Sequence, residues 1–148
     1  METMGRRVAA RIHDGDCIQF GIGKVPAAIL TCLMDRRNLG LHGGMVTDEV
    51  ADLVDGGALN GSAKSIDTNK LICGAAMGTK RVFEWAAGRD DVIFRGADYT
   101  HNVPVVAQID NFVSINSTLE VDLTGQANSE TLDGRQISLY LAADRDVG

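Results

Sequence analysis

Apolar and polar residues alternate twice within the stretch from Asn111 to Glu130. Val113 and Ile115 alternate with Ser114 and Asn116, and then Leu119, Val121 and Leu123 alternate with Glu120, Asp122 and Thr124. A period of two predicts two strand segments, each with one face on a core. Upstream the pattern is different. Val8 and Ile12, four apart, predict a short helix over residues 4–13 that ends at the Asp14-Gly15-Asp16 turn, and Cys17–Phe20 is a brief apolar strand. Gly21-Ile22-Gly23 leads into a helix that starts near Pro26, a residue tolerated in a first helical turn, and runs to Leu33.

Asn38–His42 predicts the next strand. Thr47 is placed to cap a helix over residues 48–55, with Asp48 and Glu49 suiting its dipole and Gly56-Gly57 closing it. Asn60–Asn69 is a polar loop and Lys70–Ala76 a buried strand. Thr79 is placed to cap a helix over 80–87, whose inward face is Val82, Phe83 and Ala86. Val92–Arg95 is a short strand, residues 98–103 a loop, Pro104 the start of a short helix to Ile109, and Gln136–Ala142 a last strand. Strands alternating with helices imply an α/β domain with a mostly parallel sheet flanked by helices, finished by consecutive strands that pair antiparallel. A length of 148 residues fits one domain, taken as residues 1–148.

Composition narrows the partners. The net charge of −6 argues against nucleic acid, which needs a dense cationic surface. No apolar run reaches the length of a membrane span, and Met1–Arg11 is too polar for a signal peptide. Cys17, Cys32 and Cys73 are odd in number and never spaced C-x-x-C, which fits reduced thiols in a cytoplasmic protein. His13, His42 and His101 are single and far apart, so no metal site is expected. The 17 glycines cluster between apolar runs, as tight strand-to-helix turns require.

Four stretches carry a family resemblance. Residues 114–130, with SINSTLEVDLTGQANSE, Ile18–Pro26 (IQFGIGKVP), Leu39–Asp48 (LGLHGGMVTD) and Met77–Lys80 (MGTK) resemble signature segments of the acetyl-CoA hydrolase and 4-hydroxybutyrate CoA-transferase family, in that family's order and spacing. These enzymes belong to the class I CoA-transferases. The resemblance extends to about Ser138 and implies the fold of the C-terminal half of such an enzyme, with the N-terminal half of the family absent.

The resemblance also assigns expectations to residues. The loop Gly21-Ile22-Gly23-Lys24-Val25 corresponds to one that contacts coenzyme A. By itself a G-x-G before a helix is weak evidence, and Pro26 breaks the dinucleotide fingerprint. Family members use a glutamate that attacks the acyl-CoA thioester and passes through a glutamyl-CoA thioester, which is covalent catalysis. Its segment reads His, small residue, Glu, Met; here it reads His42, Gly43, Gly44, Met45, so the nucleophile position is Gly44. Weak substitutes are Asp48 and Glu49, whose charge already suits a helix start, and His42 as a base for water. Without gaps, Ala142 falls where a glycine N–H would serve the acyl oxygen. Asn116, Glu120 and Gln126 are site-facing candidates by the resemblance and sheet-surface polars by pattern alone.

The expected function is therefore that of a fragment or divergent member of this family, whose ancestral reaction moves CoA from an acyl-CoA to a short carboxylate or to water. Coenzyme A is then a substrate, with no permanently bound cofactor, and the isolated chain is expected to be inactive for want of a nucleophile. The alternative is a non-catalytic CoA-binding or subunit-interaction domain. Partners expected from the resemblance are acyl-CoA, a carboxylate, and either further copies of the chain or the missing N-terminal half.

Overall fold

The structure, a computed structural model, describes residues 2–137. The chain divides into two compact units, Met1–Ile115 and Asn116–Gly148. In chain order the first contains α1 (Glu2–Ala9), β1 (Cys17–Phe20), α2 (Lys24–Leu30) prolonged by a 3-10 turn (Thr31–Leu33), β2 (Gly40–Leu41) and β3 (Met45–Val46). It continues with α3 (Asp48–Asp55), β4 (Leu71–Cys73), β5 (Ala75–Ala76), α4 (Lys80–Ala87), β6 (Val92–Phe94), α5 (Ala97–Thr100), α6 (Val103–Val106) and β7 (Phe112–Ile115).

β1 lies between β2 and β7, parallel to both. A bridge from His42 to Ile72 joins β2 to β4, and β4 pairs parallel with β6. The order is thus β7-β1-β2-β4-β6, an α/β fold with a parallel sheet. β3 and β5 pair just beyond the glycines that end β2 and β4.

Register and burial separate the two faces of this sheet. Ile18, Phe20, Leu41, Leu71, Cys73, Val92 and Ile115 all belong to the main core, and pairing puts them on one face. Side chains alternate along a strand, so Cys17, Gln19, His42 and Ser114 share the other face. The core partners are Ala9 and Ile12 from the first helical segment, Ile29 and Leu30 from α2, Val50 and Leu53 from α3, and Val82 and Ala86 from α4. These helices therefore pack on one face only.

The second face carries the polar side chains of Gln19, His42 and Ser114, and the polar loop after α3 reaches onto it. Lys64 is buried there, donating from Nζ to the Leu41 and Lys70 carbonyls at 3.2 and 2.9 Å. Its stem lies so close to Gly40 that a Cβ at that position would meet Lys64 Cγ at 2.6 Å. Tyr99 packs its ring 5.7 Å from that of His42 and donates its hydroxyl to Asp67 Oδ2 at 2.8 Å. His42 is fully buried, and neither ring nitrogen has a partner at bonding distance among the described residues.

The second unit consists of short antiparallel ladders, β8 (Glu120–Val121) with β9 (Ala127–Asn128) and β10 (Thr131–Leu132) with β11 (Arg135–Gln136). Its turn is held by Asp122, whose Oδ1 accepts from the Thr124 N–H, the Thr124 hydroxyl and the Gln126 N–H.

Several expectations are corrected. Leu119, Val121 and Leu123 are exposed rather than on a core, and only Val121 of the three lies in a strand. Phe83 is exposed while Trp85 is half-buried, donating Nε1 to Asp55 at 3.0 Å and lying beneath the Arg89 guanidinium, so the stripe of α4 turns toward Trp85. Neither Thr47 nor Thr79 caps its helix with its hydroxyl. Residues 98–100, expected as loop, belong to α5 (Ala97–Thr100). Of the last strand expected over Gln136–Ala142, Gln136 ends β11, Ile137 is not in a strand, and residues 138–142 lie outside the described residues. No helix among the described residues is long and apolar enough to cross a membrane.

Burial first, and then the positive Lys64, hold His42 below its ordinary pKa of 6.5, outweighing Asp67 and a longer contact with the Tyr99 backbone; His101 adds a small push in the same direction. Below that value the unfolded chain binds the proton and the folded protein does not, so stability is present above it and is lost as pH falls through the lower folded pKa. The denaturant midpoint should therefore fall as pH drops through about 6.5. His42→Phe, which keeps a ring against Tyr99, should flatten that step. An unchanged step in the variant would contradict a neutral buried imidazole.

Candidate functional site

In an open parallel sheet, the loops that contact ligands gather at the carboxyl ends of the strands. Here that edge collects most of the stretches singled out in the sequence. Gly21–Val25 follows β1, His42–Gly44 follows β2, Gly74 follows β4, Arg95 and Gly96 follow β6, and Asn116 follows β7. The hydrogen bond from the Gly21 N–H to the Ile115 carbonyl, at 2.9 Å, ties the first of these loops to the end of β7.

The Gly21–Val25 loop is open. Gly23 has φ of 120°, a conformation L side chains rarely adopt, and a Cβ built there meets nothing within 4 Å. Ile22, Gly23 and Lys24 are exposed, whereas Pro26 is buried in the first turn of α2.

The end of β2 is bare backbone. The Gly44 carbonyl accepts from the Gly74 and Ala75 N–H groups at 3.1 and 3.0 Å, while Gly43 donates to the Ile72 carbonyl at 3.0 Å. Side chains are excluded at two of the glycines: a Cβ on Gly43 would meet Gln19 Cγ at 2.8 Å, and one on Gly74 the Gly44 carbonyl oxygen at 3.1 Å. Above Gly44 stands a residue the sequence reading had not placed. A Cβ on Gly44 would stand 3.3 Å from His101 Cε1 and 3.6 Å from His101 Nε2. His101 caps the carboxyl end of α5, and its Nδ1 lies 2.8 Å from the hydroxyl of Thr100, which is buried. Nothing in its spacing from Gly44 signals this contact; only the β6–α5 crossover creates it.

The substitutes proposed for the missing carboxylate are engaged elsewhere or enclosed. Asp48 accepts from the Thr79 N–H at 2.7 Å and the Thr79 hydroxyl at 2.8 Å, joining the starts of α3 and α4. The Thr79 N–H, foremost, holds the Asp48 carboxyl below the usual range. Glu49 lies half-buried in the first turn of α3. His42 is enclosed beneath Tyr99. The cysteines are free, and burial pushes the Cys17 and Cys73 thiols up to about 11, far from the thiolate a nucleophile needs.

Glu120 and Gln126 belong to the second unit and are exposed there. Glu120 accepts from the Asn128 side chain at 2.9 Å, and Gln126 donates its backbone N–H to Asp122. Ala142 lies outside the described residues. Among the described residues, no group of three or more His, Cys, Asp or Glu side chains is placed to hold a metal ion.

Comparison with known proteins bears on this edge. Residues 78–140 match the family model described as acetyl-CoA hydrolase/transferase C-terminal domain. The chain is 38% identical over 137 residues to 4-hydroxybutyrate coenzyme A transferase of Clostridium kluyveri, which covers 93% of this chain and 32% of that protein. It is 39% identical over 138 residues to the probable butyrate:acetyl-CoA coenzyme A-transferase of Syntrophomonas wolfei, covering 92% and 31%. Among solved structures, RipA from Yersinia pestis matches with a TM-score of 0.83 at 34% identity, over 87% of this chain and 30% of that one. The 4-hydroxybutyrate CoA-transferase of Porphyromonas gingivalis matches with a TM-score of 0.82 at 36% identity, over 85% and 33%. This chain spans about a third of the length of these relatives. With the parallel sheet and its carboxyl-edge loops in place, the chain is similar to the C-terminal domain of the acetyl-CoA hydrolase/transferase family.

Proposed function

We propose that this chain is the coenzyme A-holding part of a CoA-transferase or acyl-CoA hydrolase, and that it does not itself form a glutamyl-CoA intermediate. The observation that carries the reading is the end of β2. There Gly44, the position that the resemblance assigns to the family's glutamate, has no side chain, and the group against it is the His101 imidazole rather than a carboxylate. The acyl-CoA, as substrate, would lie along the carboxyl edge with its CoA portion against Gly21, Ile22, Gly23, Lys24 and Val25. The left-handed Gly23 and the open space beside it support a close backbone approach at that loop. Residues 1–148 act in this reading as one functional portion.

One observation favours the interaction reading as well. Ile22, Met77, Phe94 and Val103 are exposed apolar side chains that follow β1, end or follow β5 and β6, or begin α6. Exposed apolar side chains of this kind are what a partner would cover. The partner would be a further copy of the chain or the remaining portion of the longer family enzyme, and a short carboxylate would enter as the CoA acceptor.

Two outcomes follow. Incubation with acetyl-CoA and intact-mass measurement should show no CoA-sized covalent adduct, since Asp48 is committed to Thr79 and Gly44 has no side chain; an adduct mapped to Asp48 or Glu49 would overturn the reading. Gly23→Val should weaken calorimetric CoA binding by about tenfold or more, because the substitution forces the backbone from its left-handed conformation at a cost of about 1–3 kcal/mol. Equal affinity would remove this loop from the site.

A further inference from the structure

We propose that the α5 turn is a cover closed over the end of β2 and latched by Tyr99, and that the acyl end of a CoA ester reaches Gly44 only when this cover lifts. The inference rests on the reading that coenzyme A lies along the carboxyl edge. It starts from the place that a side chain at position 44 would take. A Cβ there stands 3.3 Å from His101 Cε1 and 3.6 Å from Nε2, so the imidazole lies against the Gly44 backbone with no room for a ligand between them. The floor below is fixed, since Gly43 donates to the Ile72 carbonyl and the Gly44 carbonyl accepts from Gly74 and Ala75. The part that must move to admit a ligand is the part above.

That part can move as a unit. Residues 94–98 lead into it and residues 103–104 leave it, all of them exposed. Between them α5 is a single turn closed on itself, by the Thr100 N–H to the Gly96 carbonyl and the His101 N–H to the Ala97 carbonyl, each at 3.0 Å. Thr100 is buried, and its hydroxyl lies 2.8 Å from His101 Nδ1, which ties the imidazole to the turn.

Tyr99 holds the turn down. Its hydroxyl donates to Asp67 Oδ2 at 2.8 Å, reaching the loop after α3, and its ring lies 5.7 Å from that of His42. The bond to Asp67 is the first cause that pushes the Tyr99 hydroxyl above its ordinary pKa, so the donated proton stays in place. The state beneath carries a cost that lifting would relieve. His42 is fully buried, and neither ring nitrogen has a partner at bonding distance among the described residues. Water admitted as Tyr99 leaves would hydrate both nitrogens, which offsets the loss of the latch. One hydrogen bond and one ring contact, opposed by a desolvated imidazole, make a closure that ligand binding can reverse.

The test places a thiol under the cover, in Gly44→Cys with the half-buried Cys32 replaced by Ser in every sample. Gly44 lacks a positive φ, so its backbone accepts the side chain. Maleimide should label position 44 at least tenfold more slowly than in the unfolded chain. Tyr99→Phe, which removes only the bond to Asp67, should speed that labelling about tenfold, the weight of one hydrogen bond to a carboxylate. The buried Cys17 and Cys73 should stay unlabelled in both. With Gly44 kept, diethyl pyrocarbonate should modify His42 slowly beside the exposed His13, and Tyr99→Phe should quicken the His42 reaction alone. The cover is overturned if position 44 labels as fast as in the unfolded chain, if Tyr99→Phe changes neither rate, or if Cys73 shares the acceleration. Calorimetric titration with acetyl-CoA separates the two readings. Tyr99→Phe should bind more tightly than the wild type, because less of the binding energy goes into opening. Equal binding overturns the cover as a gate, whereas the expected labelling with no binding by either protein overturns the coenzyme A reading and keeps the cover.

Discussion

The hydrogen bonds around the end of β2 hold the first unit together. His42 donates its backbone N–H to Ile18 in β1, Gly43 donates to Ile72 in β4, and Gly44 accepts from Gly74 and Ala75. These bonds stitch the short ladders into one parallel sheet, because β2 has only two residues in regular pairing. They also require a chain without side chains where the strands close on each other. Gly43 and Gly74 sit against Gln19 and against the Gly44 carbonyl too closely for a Cβ to be added without displacing a neighbour. The same bareness that closes the sheet makes the edge approachable from above.

One-sided packing sets the chemistry of that edge. The helices draw one set of alternating side chains into the core, and the opposite set includes Gln19, His42 and Ser114. Burying His42 costs it protonation, and Lys64, held by two carbonyls, adds to that cost. The imidazole that remains accessible is His101, brought over Gly44 by the crossover from β6 to β7 and oriented by Thr100.

Much of this was legible in the sequence. Cys17–Phe20 stands between two turns as an apolar run, and β1 has those bounds. The acidic pair Asp48-Glu49 before an amphipathic stretch marked α3 at its observed limits. Other features were hidden because they depend on distant partners. Lys64 reads as one more polar residue in a loop, yet it is buried because the Leu41 and Lys70 carbonyls lie within reach. Asp48 and Thr79 read as two separate helix starts, whereas one carboxylate bonds the other's backbone. Of Leu119, Val121 and Leu123 only Val121 lies in a strand, and the alternation carries no information on what lies over it.

The most direct test of the central claim is the set of backbone amides that respond to coenzyme A. In a uniformly 15N-labelled sample titrated with coenzyme A, the largest shift changes should fall on Gly21–Val25, on Gly43 and Gly44, and on His101, all at the carboxyl edge of one sheet. Changes confined to α1, to the exposed faces of α3 and α4, or to no residue at all would contradict a coenzyme A site at this edge.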